Sequence, residues 1–234
     1  MPRDPDLIEL PGKPGLEVRL RRSARAKRVS LRVSRLDGAV TLTIPARAPL
    51  PGALRFLHDR VGWIEAAVAG LEGPVVVSPG VALPVEGQLL TVTLAPVRSA
   101  RVDGDALLVP AARPAAAALA WLRLRARERL AERIAVHAAV LGRPAGRLTL
   151  RDTRSRWGSC TATGDLMFSW RLVMAPPRVL DYVAAHEVAH LAQMNHSPAF
   201  WAEVARLFPG HVEARRWLKT QGATLHRYRF GDEA

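Results

Sequence analysis

Between residues 16 and 45 apolar and polar side chains alternate. Val18 and Leu20 stand against Arg19 and Arg21, Val29, Leu31 and Val33 against Ser30, Arg32 and Ser34, and Val40, Leu42 and Ile44 against Thr41 and Thr43. A period of two with one apolar face predicts half-buried strands, and Asp37-Gly38 predicts a tight turn between the last two. After Pro45 and Pro49 the apolar spacing changes to three and four. Leu50, Leu54, Leu57, Val61, Ile64, Val68 and Leu71 predict one amphipathic helix, with Phe56 and Trp63 packed beside its stripe and Gly73-Pro74 as its stop. Short strands are expected around 75–77, 81–85, 89–94 and 107–109, with Glu86-Gly87 and Asp103-Gly104 as turns. A β-rich N-terminal half closes near Pro110.

The second half opens with a predicted helix over 114–141, with Leu119, Leu122, Leu130, Ile134 and Leu141 among its apolar positions and Gly142 as its cap. Arg123, Arg125, Arg127, Arg129 and Arg133 are spread around it, and alternation at odd positions makes no single helical face. His137 reads as an ordinary helix residue. Leu148-Thr149-Leu150, the run Ser155–Cys160, a Thr163-Gly164-Asp165 turn and a returning strand over 166–173 predict a hairpin. Pro176-Pro177 then starts a helix expected to reach Met194. The fold class is α+β. A β-rich region with one amphipathic helix (1–110) precedes a small core (111–234) whose last-named helix packs on a sheet.

That helix carries His186-Glu187-Val188-Ala189-His190. Residues four apart lie on one helical face, so His186 and His190 can hold one metal ion, with Glu187 beside them to take a proton from a metal-activated water. The helix is apolar or alanine nearly all round, which predicts burial. At 100° per residue Glu187 shares the arc of Leu180, Val183, Leu191 and Met194. An ionised glutamate there costs several kcal/mol unless a charge such as a dication compensates. A catalytic zinc takes three protein ligands and a water. His196 is too far round an unbroken helix to be the third, so the chain must leave the helix first. Asn195 tolerates the left-handed conformation that ends helices, and Ser197-Pro198 reads as the N-cap and first-turn proline of a new one. His196 therefore ranks first as third ligand, with Glu203, then Glu213 and His211, as rivals. For stabilising the oxyanion, Tyr182, Arg156, Tyr228 and His226 are open candidates.

Composition narrows the setting. Of 234 residues 49% are hydrophobic, enough for a full core. The single cysteine, Cys160, excludes an intramolecular disulfide framework and a cysteine-based zinc site, and fits a reducing, cytoplasmic setting. The N-terminus is polar and lacks the apolar core of a signal peptide, and no run is long and apolar enough for a membrane helix, so no membrane partner is expected. The formal net charge is +13. Eight basic residues of the outward strand face (Arg19, Arg21, Arg22, Arg25, Lys27, Arg28, Arg32 and Arg35) offer an Arg-rich surface to nucleic acid or nucleotides. A compositional bias accounts for the net charge equally well, since lysine occurs only at Lys13, Lys27 and Lys219, and a solvated sheet face is the preferred reading of these eight residues. No aromatics are interleaved there, as single-strand binders require.

The chain resembles the YgjP-like zinc metallopeptidases, which are distantly related to SprT-like and other minimal zincins. The resemblance rests on Arg28-Val29-Ser30-Leu31-Arg32-Val33, Trp63-Ile64, Arg156-Trp157-Gly158-Ser159-Cys160, the His186–His190 motif, and Asn195-His196-Ser197-Pro198-Ala199-Phe200-Trp201. It implies Zn2+ at His186, His190 and His196, Glu187 as catalytic acid/base, and a zincin core. The strand Trp157, Gly158, Ser159 would be its substrate-binding edge for a peptide or protein. Ser169 departs from the pattern, which places asparagine there. Two other functions stay open. Some relatives are described as UTP pyrophosphatases, although no Gly-rich phosphate loop is present, and SprT-like relatives cleave DNA-bound proteins, which would make this a nucleic-acid-associated protease.

Overall fold

A computed structural model describes residues 6–9, 17–34, 38–70 and 73–231. Arg35, Asp37, Leu71, Lys13 and the first five residues fall outside it. Contacts divide the chain into two compact units, Met1–Pro74 and Val75–Ala234. The expected border near 110 is thereby moved to Pro74. The reason is where the middle strands bury their side chains: Leu83, Val85, Leu90, Val92, Leu107 and Val109 share one core with Leu122, Leu130 and Val183.

In the first unit, strands β1 (Asp6–Glu9), β2 (Glu17–Ser23), β3 (Ser30–Val33) and β4 (Val40–Pro45) form a sheet of order β1-β2-β4-β3, with β2 and β4 parallel. Alternation holds as expected: Val18, Leu20, Val40, Leu42 and Ile44 are buried, and Arg19 and Arg21 are exposed. Gly38 lies in the left-handed region at φ 71°. The single expected helix is two, α1 (Leu50–His58) and α2 (Val61–Ala69). Asp59 ends the first, its N–H on the carbonyls of Arg55 and Leu57. The apolar repeat runs through the break because Ala53, Leu57 and Ile64 all reach the same core. Periodicity thus reports the face and not the continuity of a helix. Phe56 packs against this core, whereas Trp63 is exposed.

The second unit begins with β5 (Val75–Val76), followed by β6 (Ala82–Val85), β7 (Gln88–Leu94), β8 (Arg101–Asp103) and β9 (Ala106–Val109), the last four in the order β6-β7-β9-β8. Glu86 and Gly87 both have positive φ, 50° and 83°, which a two-residue hairpin turn of right-handed strands requires. Helix α3 (Pro114–Leu141) ends as expected at Gly142, in the left-handed conformation at φ 73°. Its arginines sort into two rows spaced by four. Arg125 and Arg129 hold Glu86 at 2.9 and 2.5 Å, and Arg133 holds Asp181 at 2.7 Å. Arg123 and Arg127 lie with Arg151 and Trp170 on another side. His137 is buried with Nε2 2.6 Å from Asp181 Oδ1, a packing role.

Next come β10 (Leu148–Arg151), β11 (Gly158–Cys160) and β12 (Leu166–Ser169), in the order β10-β12-β11, so β11 is an edge. The returning strand stops at Ser169, short of the expected Val173, and Trp170–Met174 is a 3-10 helix. Helix α4 (Pro177–Ala189) is buried on nearly every side. Helices α5 (Pro198–Leu207) and α6 (His211–Gln221) pack against it, and a 3-10 helix (Gly222–Arg227) leads to β13 (Tyr228–Arg229), which pairs in parallel with β5.

Candidate active site

Helix α4 ends five residues earlier than Met194. His190 is its C-cap, and the N–H groups of Leu191, Ala192 and Gln193 return to the carbonyls of Val188 and Ala189, tightening the exit. Asn195 is not left-handed. Its Oδ1 instead accepts from the Ser197 N–H at 3.2 Å. Ser197 caps α5 as expected, its hydroxyl accepting from Phe200 N with Pro198 in the first turn. The corner swings His196 back over the end of α4.

The donor nitrogens of His186, His190 and His196 lie within 4.8 Å of one another, and the Nε2 atoms of His186 and His196 are 3.2 Å apart. His190 Nδ1 donates to the Gln193 carbonyl at 3.0 Å, which fixes its tautomer and leaves the Nε2 lone pair for a ligand. Burial, with His190, His196 and Arg215 nearby, pushes His186 down to about 3, so it stands neutral with a lone pair to offer. Such a donor set fits a divalent metal. Phe200, fully buried, supports all three rings: it stacks on His190 at 4.4 Å and meets His196 and His186 edge-on at 4.7 and 4.9 Å. The rivals lie elsewhere. Glu203 pairs with Arg206, Glu213 with Arg178, and His211 stacks on Trp201.

Glu187 is buried, and burial pushes its carboxyl up to about 8, with Arg156 pulling the other way. It lies directly under β11. A Cβ on Gly158 would fall 2.5 Å from Glu187 Oε1 and 2.6 Å from its Cγ, so only glycine admits the carboxyl there. Ser159 and Cys160 line the same cleft of about 420 Å3 as the three histidines, Glu187 and Arg156. The Cys160 thiol is pushed up to about 11 by burial and the neighbouring carboxylates, so it stays protonated. The Trp157 indole is committed to packing, 5.2 Å from the His226 ring and so close to Gly222 that a Cβ there would meet it at 2.9 Å. In the β11–β12 ladder Trp157 O accepts from Ser169 N and Thr161 N donates to Asp165 O. Antiparallel pairs alternate, so Trp157, Ser159 and Thr161 spend their main-chain groups on β12, while Gly158 and Cys160 turn theirs to the free edge.

Residues 27–221 match the family model described as YgjP-like, metallopeptidase domain. The chain belongs to the YgjP-like metallopeptidase family. It is therefore a peptidase hydrolase, and the family domain takes in most of the first unit and nearly all of the second. Among solved structures, that of the metallopeptidase zymogen of Pyrococcus abyssi abylysin is similar over 39% of this chain and 95% of that one, at 25% identity and a TM-score of 0.35. No curated protein matches the chain. Among the described residues no helix is long and apolar enough to cross a membrane.

Sequence reasoning named Gly158 in the substrate-binding edge and Phe200 in the motif after His196, but missed what each of them packs against in this YgjP-like site. Phe200 lies two residues after the proline that opens α5, and a fixed offset from that cap is the signal that could have found it. The contact of Gly158 with Glu187 joins segments 29 residues apart, and no local pattern announces it.

Proposed function

We propose that this YgjP-like protein is a zinc peptidase that binds its substrate as an added strand on β11 and cleaves it with Glu187 as general base. The observation that carries this reading is the convergence of three imidazoles beside a buried glutamate, with no thiolate among them. Three histidines with an open fourth position are the ligand count of a catalytic rather than a structural zinc. His186, His190 and His196 would hold the ion, which when bound supplies Lewis acidity, acidifying a water and polarising the scissile carbonyl. Glu187 takes the proton of the attacking water and returns it to the departing amine nitrogen. Arg156 draws the Glu187 carboxyl towards the ionised form that a base needs. The outward N–H and C=O groups of Gly158 and Cys160 bond the peptide main chain and align it across the cleft. Ser159 adds a polar wall.

Metal analysis and the Glu187→Gln variant test this together. The purified protein is expected to carry one zinc per chain. The variant is expected to keep that zinc and lose at least about 1000-fold in peptide hydrolysis, the scale of general acid–base and charge effects combined. A zinc-free active protein, or a fully active variant, defeats the proposal.

A further inference from the structure

We infer that Arg156 is a catalytic residue, the second electrophile that receives the negative charge developing on the scissile carbonyl oxygen. The inference rests on the peptidase reading above. When water adds to the carbonyl carbon, a C–O bond forms and the C=O π pair localises on oxygen, while Glu187 takes a proton. When the C–N bond breaks, that pair restores the carbonyl and the amine nitrogen takes the proton from Glu187, leaving a carboxylic acid and an amine, and the acid then gives its remaining hydroxyl proton to the amine to form a carboxylate and an ammonium. The intermediate charge needs a fixed donor besides the Lewis acid.

Four side chains were open for this task, and the structure separates them. Tyr182 is buried with its ring edge-on to His186 at 5.9 Å and against Phe208, behind the ligand rather than in the cleft. His226 is buried against Trp157 and held neutral, pushed down to about 4 by burial and Arg171. Tyr228 lies on β13, outside the residues that line the cleft, with the Arg227 guanidinium over its ring at 5.9 Å. Arg156 alone of the four lines the cleft with Glu187 and the histidines. Its main chain is anchored, the carbonyl accepting from the Thr153 hydroxyl at 2.8 Å just before β11 begins. Its guanidinium makes no ion pair with a described carboxylate within 4 Å, unlike Arg125, Arg129, Arg133, Arg171 and Arg206. A guanidinium presents several donors in a rigid fork, and this one is free to turn onto an oxyanion.

The test compares R156A and R156K with the parent, using a peptide the parent cleaves and that peptide's phosphinic analogue, a tetrahedral anion in place of the scissile amide. R156A is expected to lose about 100- to 1000-fold in kcat, with KM within about threefold of the parent and zinc content and Tm unchanged. Calorimetric affinity for the phosphinic peptide falls by a similar factor, and R156K recovers part of both losses. An R156A variant with unchanged kcat, or with raised KM and unchanged phosphinic affinity relative to KM, overturns the assignment while leaving the peptidase reading intact. That reading fails separately, if E187Q hydrolyses the peptide as fast as the parent.

Discussion

Replacing Gly158 by alanine adds one methyl carbon, and the structure fixes where it goes: 2.5 Å from Oε1, 2.6 Å from Cγ and 2.8 Å from Cδ of Glu187. Non-bonded carbon atoms rest at about 3.5–4.0 Å, so the carboxyl must retreat by roughly 1 Å. The backbone itself accepts alanine, because Gly158 is not among the glycines with positive φ. Overpacking costs about 1–3 kcal/mol, partly offset by about 0.4–1 kcal/mol from the stiffer unfolded chain. The protein therefore still folds. Catalysis suffers more: a base displaced by about 1 Å costs about 100-fold, which is about 2.7 kcal/mol of transition-state stabilisation. The variant is expected to keep the proposed zinc, since Glu187 is not among its proposed ligands, and to lose about two decades of kcat with KM little changed. Steady-state hydrolysis of a peptide cleaved by the parent, run beside metal analysis and a melting curve, gives all three quantities. A G158A protein with parental kcat and full zinc would show that Glu187 has room to spare and would refute the argument.

Four further outcomes are expected. His196→Ala removes the one proposed ligand that stands beyond the C-cap of α4, so zinc affinity is expected to fall and the metal-dependent gain in Tm to shrink by an amount that titration calorimetry can match; at 1000-fold excess over Kd that gain is about 4 kcal/mol in the parent, and an unchanged affinity would exclude His196 from the metal. In the metal-free protein, burial holds His186 at about 3 and His226 at about 4, both below the unfolded value of 6.5; their stability contribution is full above pH 6.5 and lost as pH falls towards those values, so Tm declines steadily from pH 6.5 to 4, and a flat profile contradicts the assignment. Glu187 runs the other way: raised to about 8 from 4.5, it destabilises the metal-free protein as pH rises through that window, so metal-free E187Q melts above metal-free parent at pH 9 and the two converge near pH 4.5. Ser169 Oγ is fully buried without a hydrogen-bond partner in the protein, so Ser169→Ala is expected to leave stability unchanged or raise it by about 1 kcal/mol, read as a shift in denaturant midpoint.

What the amino-acid sequence determined alone was whatever depends on neighbours along the chain. The spacing of four puts His186 and His190 on one face because a helix repeats every 3.6 residues, and Ser197-Pro198 restarts the helix because each residue satisfies a local need of a helix N-terminus. The strands of the first unit and the Gly142 cap follow in the same way. Tertiary structure decided what depends on segments meeting across space. The apolar repeat from Leu50 ran on through a break at Asp59, since one core receives both helices. The strands between 75 and 109 joined the later unit because their side chains fill its core rather than the earlier one. Helix α4 stopped at Ala189, with His190 tied to the Gln193 carbonyl, a turn that apolar periodicity does not encode. Phe200 beneath the three rings, Arg156 in the cleft and the bare Cα of Gly158 against Glu187 are products of packing, where steric fit between distant residues selects one arrangement.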